Sequence, residues 1–146
     1  MIRLRFHKTV TAPVLLSACS GSGPSRLQAK TLTNPVQPTP QSLESGKVLY
    51  QQNCANCHGA TGNGVNEQAS TPANDSEIKP ADLTDDKWEH GSTDGEIFMN
   101  IRDGIGPKSL SAGVLRKGPM RGLNGKPGIT EQDIWHVVNY VRTLCP

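Results

Sequence analysis

The clearest hydrophobic pattern lies near the end of the chain, where apolar residues recur at helical spacing. Five aliphatic residues share one face there: Ile134, Val137, Val138, Val141 and Leu144. Just before them, Thr130 and Asp133 have the spacing of a capping box, with Asp in place of the more common Glu. The pattern predicts an amphipathic helix that begins after Thr130 and packs one side against a core.

Two shorter helices are predicted earlier in the chain. Residues Leu43 to Asn53 combine a serine-rich start with apolar Val48 and Leu49, and this segment leads directly into Cys54. A second helix runs from Asp94, which can act as its N-cap, to about Arg102. Its apolar face holds Ile97, Phe98 and Ile101. The sequence therefore predicts an all-α domain of three to four helices.

The segments between these helices are long and rich in glycine, proline and asparagine. They cover about residues 59 to 91 and 105 to 128, whereas loops of a compact domain rarely exceed about 12–15 residues without a functional reason. Only 34% of the residues are hydrophobic and only 4% are aromatic, so the polypeptide alone would bury a thin core. Long loops wrapped around a large ligand would explain both features.

The first 18 residues resemble an export signal. They have three basic residues near the start and then a short apolar stretch, and the chain reads Leu16-Ser17-Ala18-Cys19 across their end. This ending is similar to the lipobox of bacterial lipoproteins, which implies acylation of Cys19; the alternative is an ordinary secretory signal. We expect residues 19–41 to be a flexible tether, with an extended strand lying on the domain as the alternative, and residues 42–146 to be the domain. Either signal implies a location in the periplasm or cell envelope, and the lipobox implies a membrane anchor.

Removal of that segment also changes the charge of the chain. Residues 1–18 hold three of the 15 Lys and Arg residues and none of the 13 Asp and Glu residues. The remaining chain therefore has one more acidic than basic residue, and nothing in it indicates a nucleic-acid-binding protein.

The candidate chemistry lies at Cys54-Ala55-Asn56-Cys57-His58. A structural zinc site needs four ligands, usually in two clusters, and the sequence has no second cluster of cysteines and histidines. A redox dithiol is expected between a strand and a helix, but here a helix precedes the motif, and a plain disulfide leaves His58 unexplained. A c-type haem uses all three residues, because two thiols form thioethers with the porphyrin and the adjacent histidine binds the iron.

The other face of such an iron needs a second ligand. A methionine opposite the histidine suits electron transfer. Met120 lies in a glycine-rich loop just before the last helix, from which a thioether can reach the iron. Met99 lies among apolar residues of the second predicted helix, where core packing is favoured. We therefore expect Met120 to be the distal ligand, with Met99, His90 or an open position as alternatives.

With these motifs in place, the chain resembles the small bacterial monohaem class I cytochromes c from about Ser42 to Leu144. The resemblance rests on the segments GKVLYQQNCANCHGATGNG, PADLTDDKW, GEIFMNIRDGI, GPM and ITEQDIWHVVNYVRTL. It implies an all-α, cytochrome c-like fold around one covalent haem c, in which Gly46 and Tyr50 lie where the first helix crosses the last. It also implies that Pro80 and Leu83 line the haem pocket and that Met120 is the distal ligand. The usual order in the family is Met-Pro, whereas this chain has Pro119-Met120.

These features predict a one-electron carrier rather than an enzyme, since His58 and Met120 together leave no free position on the iron. It would relay electrons between respiratory or dehydrogenase partners. The alternatives are a haem subunit fixed to a larger oxidoreductase and an open-site haem protein that reacts with peroxide or small gases. A basic rim near Met120 is a candidate docking surface for acidic redox partners, the alternative being scattered solvated charges. We define this rim as Lys108, Arg116, Lys117, Arg121 and Lys126.

Overall fold

The computed structural model of the protein describes residues 24–65, 80–106 and 120–145. Its elements are a 3-10 helix at Arg26–Thr31, α1 at Pro40–Asn53, α2 at Ala55–His58, α3 at Asp94–Asp103, β1 at Gly104–Ile105, β2 at Met120–Arg121 and α4 at Glu131–Arg142. The predicted helical fold is confirmed, and the structure adds one pair of two-residue strands that the all-α prediction did not include. Within the described ranges, no helix combines the length and the hydrophobicity that crossing a bilayer requires.

Helix α1 crosses α4 at a point where only glycine fits. A Cβ atom on Gly46 would lie 2.0 Å from the carbonyl oxygen of His136 and 2.8 Å from Cβ of Tyr140. One turn further along α1, the rings of Tyr50 and Tyr140 meet with their centroids 5.3 Å apart. The expected crossing of the first and last helices at Gly46 and Tyr50 is therefore present.

The observed start of one helix agrees with the prediction from the sequence, and the starts of two others differ from it. The Thr130–Asp133 capping box of α4 forms as predicted, with the Asp133 amide donating to Thr130 Oγ1 at 3.2 Å and the Thr130 amide donating to Asp133 Oδ2 at 2.8 Å. Helix α1 begins at Pro40, three residues before the predicted start, because Thr39 is its N-cap. The N-cap of α3 is Thr93, and the prediction that Asp94 caps this helix is wrong, since Asp94 is its first helical residue.

The core lies where α1 and α3 pack against α4. The rings of Phe98 and Trp135 stack with their centroids 4.0 Å apart, and Met99 is 1% exposed. The predicted stripe is buried along α4, together with Trp135 and Asn139, and its last residue, Leu144, is partly buried just after the helix ends. Met99 thus packs in the core, as its position among apolar residues predicted.

A short antiparallel ladder connects the end of α3 to the segment that carries Met120. Gly104 of β1 pairs with Arg121 of β2, and Ile105 pairs with Met120. The chain then continues along α3, with the Leu123 amide donating to the carbonyl of Ile101 at 2.9 Å. The sequence predicted loop here, whereas the structure pairs Met120 with β1 and joins the residues after it to the end of α3 by backbone hydrogen bonds.

Residues 24–39, which we call the N-terminal strap, pack against the domain. Ala29 is buried and lies so close to α3 that a Cβ on Gly95 would be 2.1 Å from the Ala29 carbonyl oxygen. Further along the strap, Asn34 Nδ2 donates to Oδ1 of the buried Asn139 on α4 at 2.7 Å. Over these residues the structure differs from the predicted flexible tether, because the close contact of Ala29 with Gly95 and the partly buried hydrogen bond of Asn34 with Asn139 hold the segment against the domain. Residues 19–23 lie outside the described residues, as does the proposed signal.

Candidate functional site

The Cys54–His58 motif lies directly after α1 and includes the four-residue helix α2. Helix α1 ends at Asn53, where the amide of Cys54 donates to the carbonyl of Tyr50, and α2 starts immediately. In α2, the His58 amide donates to the carbonyl of Cys54 at 2.9 Å. Cys54 is half-buried, Cys57 is exposed, and neither is in a disulfide. The bend therefore holds two thiols and one imidazole within a single helical turn.

The side chain of His58 is held in one tautomer by a backbone carbonyl. Its Nδ1 lies 3.1 Å from the oxygen of Ala81, and because a carbonyl only accepts, Nδ1 carries the proton. Burial lowers the pKa of His58, and the hydrogen bond to Ala81 opposes that shift to a smaller extent. The neutral ring thus keeps the lone pair on Nε2, which is the arrangement of a histidine that binds a metal.

Cys54 and His58 open onto a cavity with mainly hydrophobic walls. The space that these walls surround is about 660 Å³, including the solvent at its open mouth. Its apolar walls are Leu83, Trp88, Ile97, Ile101, Ile105, Val137 and Val141. Polar side chains at its boundary are Asp82, Lys87, Glu89, His90 and Asn100. Burial raises the pKa of the Cys54 thiol to about 11, and the nearby Cys57 adds to this shift.

Met120 lines the same cavity as His58, from the β1–β2 ladder. Met99 is absent from the cavity lining because its side chain points into the core. His90, the alternative from the sequence, does line the cavity. The structure thus brings Met120 to the cavity of Cys54 and His58, although it lies more than 60 positions after them in the sequence.

The two residues assigned to the pocket by resemblance have different positions. Leu83 lines the cavity, and its amide donates to the carbonyl of Gly62 at 2.7 Å. Pro80 is not part of the lining; its neighbour Ala81 is, and it supplies the carbonyl that binds His58. The segment from Pro80 to Leu83 therefore contributes to the site with the side chain of Leu83 and with the backbone carbonyl of Ala81.

Sequence reasoning missed the contribution of Trp88 to the cavity wall. The guanidinium of Arg142, on α4, lies 5.1 Å from the centroid of the Trp88 indole, and its Nε donates to Asp94 at 2.8 Å. This contact holds the loop that carries Trp88 against the helical core. An isolated tryptophan in a loop rich in Asp and Lys was the signal that could have identified it.

Only part of the basic rim lies within the described residues. Arg121 is exposed on β2, next to Met120. Lys126 is also exposed, and its Nζ donates to Asn53 at the end of α1. Lys108, Arg116 and Lys117 lie outside the described residues.

These residues fit the c-type haem that the sequence predicts. The cavity offers thiol, imidazole and thioether groups on otherwise apolar walls, which is a donor set for haem iron rather than for a hard cation. Among the residues that the structure describes, no group of three or more His, Cys, Asp or Glu side chains is arranged to hold a metal ion. That part of the chain therefore contains no ligand set for the zinc alternative.

Comparison with known proteins points to one family. A family model described as Cytochrome c matches residues 43–145. The chain is 32% identical over 106 residues to a protein named Cbb3-type cytochrome c oxidase subunit CcoP from Azospirillum sp. strain B510, covering 70% of this chain and 31% of that protein. It is 31% identical over 121 residues to the CcoP subunit of Rubrivivax gelatinosus, covering 81% of this chain and 32% of that protein.

A solved structure supports the fold. A chain of the reducing HAO-like protein complex of Kuenenia stuttgartiensis superposes with a TM-score of 0.56 at 24% identity, covering 77% of this chain and 47% of that one. At this identity the likeness concerns the fold alone. The chain also spans only about a third of the length of the two oxidase subunits.

Proposed function

Because this chain belongs to the cytochrome c family, we propose that it is a one-electron carrier in which one haem is joined to Cys54 and Cys57 and ligated by His58 and Met120. The observation that carries the proposal is that His58 and Met120 line the same hydrophobic cavity. When bound, the haem supplies the redox centre. The chain supplies the ligands, the orientation and the exclusion of water.

His58 contributes a pre-oriented ligand. Since Nδ1 donates to the Ala81 carbonyl, Nε2 is available to the iron without a change of tautomer. A hydrogen bond of this kind fixes the ring plane and raises the basicity of the ligand. Hydrophobic walls around it keep water away and favour the less charged reduced state.

Met120 contributes the second ligand. A thioether opposite a histidine raises the reduction potential and suits electron transfer. With both positions filled, no site remains for peroxide or a small gas, and little rearrangement accompanies oxidation or reduction. This distinguishes a carrier from an open-site haem protein.

Two methionine variants test the ligation. In the matured protein, a pyridine haemochrome spectrum should identify thioether-linked haem c, and the oxidised protein should have the weak far-red band of methionine-ligated iron. Met120→Ala should abolish that band, whereas Met99→Leu should keep it, because Met99 is in the core and the exchange nearly conserves volume. Absence of the band from the unaltered protein, or its survival in Met120→Ala, would exclude Met120 as the ligand.

We also propose that the protein works in the periplasm or cell envelope, anchored by a lipid on Cys19. The proposal is supported by the lipobox-like segment Leu16–Cys19. Mass spectrometry of the mature N-terminus should find an acylated Cys19, and Cys19→Ser should release the protein into the soluble fraction. An unmodified N-terminus produced by cleavage elsewhere would contradict this proposal without affecting the haem site.

Docking of redox partners on the basic rim is a further part of the proposal. Arg121 is exposed beside Met120, so a partner bound there would lie close to the cavity. Electron transfer with an acidic partner should slow as ionic strength rises, and Arg121→Gln should reduce both the rate and its salt dependence. Lys47→Gln, an equal loss of charge at an exposed position on α1, is the matched control. Equal effects of the two variants would show that only net charge matters.

The second candidate function is that of a haem subunit fixed to a larger oxidoreductase. The observation that favours it is the set of relatives, which are named as subunits of cbb3-type oxidases and are about three times as long as the matched region. Purification in mild detergent tests it. A stoichiometric partner that survives a high-salt wash supports the fixed subunit, and a monomer under the same conditions supports the free carrier.

A further inference from the structure

The N-terminal strap reaches the segment behind Met120 through one guanidinium group. Arg26 Nη1 donates to Oδ1 of Asn100 at 3.1 Å, and its Nη2 donates to the carbonyls of Met99 and Gly104. These acceptors lie on the last turn of α3 and on β1. A cation at this place also interacts favourably with the negative end of the helix dipole. Arg26 therefore fastens the end of α3 and the start of the ladder to the strap.

The ladder transmits this contact to Met120 at close range. A Cβ on Gly104 would lie 2.3 Å from the Met120 carbonyl oxygen, so these two backbone segments are in direct contact. Ile105, the next residue, pairs with Met120 across the ladder. Because no space separates β1 from β2 at this point, a displacement of Gly104 must also move the backbone of Met120, which carries the thioether.

The same guanidinium reaches another part of the cavity wall. Asn100, which accepts from Arg26, itself lines the cavity, and its Nδ2 donates to the carbonyl of His90 at 3.0 Å. Arg26 is 40% exposed, so solvent weakens each contact. Its influence rests on joining α3, β1 and the His90 loop at one point.

The strap is a firm support because its other contacts do not depend on Arg26. The Ala29 backbone fits against Gly95, and Asn139 Nδ2 donates to the Val36 carbonyl at 3.0 Å. In the opposite direction, Arg102 Nη2 donates to the carbonyl of Pro24 at 2.8 Å. The strap is thus held along α3 and by α4, and it lies entirely outside the matched region of residues 43–145.

We propose that the N-terminal strap is a positioning element for the Met120 ligand, and that Arg26 is the positioning residue through which it acts. The proposal rests on the proposed function, since it takes Met120 as the distal ligand. By holding Gly104, Arg26 keeps the β1–β2 ladder closed, and the closed ladder keeps the thioether at the cavity. Without Arg26, the ladder opens more often and the distal position becomes accessible to other ligands.

Imidazole binding to the matured, oxidised protein measures this opening. Imidazole takes the distal position only when Met120 has left it, so its apparent affinity is proportional to the population of the open state. Arg26→Gln should tighten the apparent binding of imidazole about tenfold and weaken the far-red band. Arg26→Lys should not restore the original affinity, because a single ammonium cannot replace the fork of guanidinium donors.

Two further variants separate positioning from general destabilisation. Lys30→Gln removes a positive charge from the same 3-10 helix at an exposed position and should leave imidazole affinity within about twofold. Gly95→Ala places a methyl group against the Ala29 carbonyl and leaves Arg26 intact. Because it pushes the strap away from α3, it should tighten imidazole binding in the same direction as Arg26→Gln.

The outcomes distinguish this inference from the proposed function. If the unaltered protein lacks the far-red band, Met120 is not the ligand and the proposed function fails. If the band is present and lost in Met120→Ala, but Arg26→Gln and Gly95→Ala bind imidazole like the unaltered protein, the positioning role fails alone. A lower urea midpoint in Arg26→Gln with unchanged imidazole affinity gives Arg26 a merely structural role and also overturns the inference.

Discussion

Replacement of Gly46 by alanine tests the packing of α1 on α4, on which the cavity depends. The added Cβ would lie 2.0 Å from the His136 carbonyl oxygen, whereas non-bonded carbon contacts are most favourable at about 3.5–4.0 Å. The obstructing atom belongs to the backbone, so a change of rotamer cannot relieve the contact. The two helices must therefore separate by roughly 1.5 Å.

The expected cost follows from two opposing effects. Alanine gains about 1 kcal/mol over glycine in a helix interior. Overpacking that displaces backbone costs typically 1–3 kcal/mol and sometimes more, and this case belongs at the upper end because the separation also loosens Tyr50 and Val138, both 0% exposed. We expect Gly46→Ala to lower the free energy of unfolding by about 2 kcal/mol or more. For a domain of this size, that is a fall in Tm of about 10 °C.

Urea and thermal unfolding of the matured protein, followed by far-ultraviolet circular dichroism, measure the change. Ser45→Ala, at the adjacent exposed position of α1, is the control and should be neutral or slightly stabilising because alanine has the higher helix propensity. Unchanged or increased stability of Gly46→Ala would refute the reasoning. It would mean that α1 and α4 can separate with no loss of stability, and that their packing does not stabilise the fold.

Three other substitutions test separate contacts. Tyr50→Phe should cost about 1–3 kcal/mol in urea unfolding, because the buried hydroxyl donates to the Gly59 carbonyl at 2.9 Å and its loss leaves that carbonyl without this donor; a neutral result would contradict this. In the capping box of α4, hydrogen bonds from Thr130 lower the pKa of Asp133. A depressed pKa adds stability above the unfolded value of about 4, and this is lost as pH falls through the folded value. Asp133→Asn should therefore reduce stability above about pH 4, by about 1 kcal/mol, and by less in more acidic solution; a pH-independent loss would contradict the assignment. Arg142→Gln should lower the reduction potential measured by redox titration, since it frees the Trp88 loop and admits water that favours the more highly charged oxidised state; an unchanged potential would show that Arg142 does not guard the cavity.

Elements whose signals are local were predicted most accurately. The start of α4 depends on Thr130 and Asp133, three residues apart, and its buried face follows from helical periodicity. The end of α3 was placed within one residue, at Asp103, because Gly104 takes a φ of +76° there. In both cases the controlling interactions lie within one helical turn.

Elements that depend on distant contacts were missed. The composition of the N-terminal strap suggests a tether, since it is rich in Ser, Thr and Pro. The strap is nevertheless held by Asn34 on Asn139, 105 residues away, and by Ala29 on Gly95. The β1–β2 ladder likewise pairs residues on either side of a long segment, and two-residue strands have no periodicity to detect.

By itself, the sequence predicted the covalent centre that we propose for the site, because Cys54, Cys57 and His58 need only one short helical bend to present their side chains together. Only the tertiary structure decided how that centre is completed. It placed the Ala81 carbonyl on Nδ1 of His58, buried Met99 in the core, and put Met120 on the cavity at the end of a ladder. His58 and Ala81 are 23 positions apart, and Ile105 and Met120 are 15 positions apart, so this geometry is set by packing between elements and not by any local pattern.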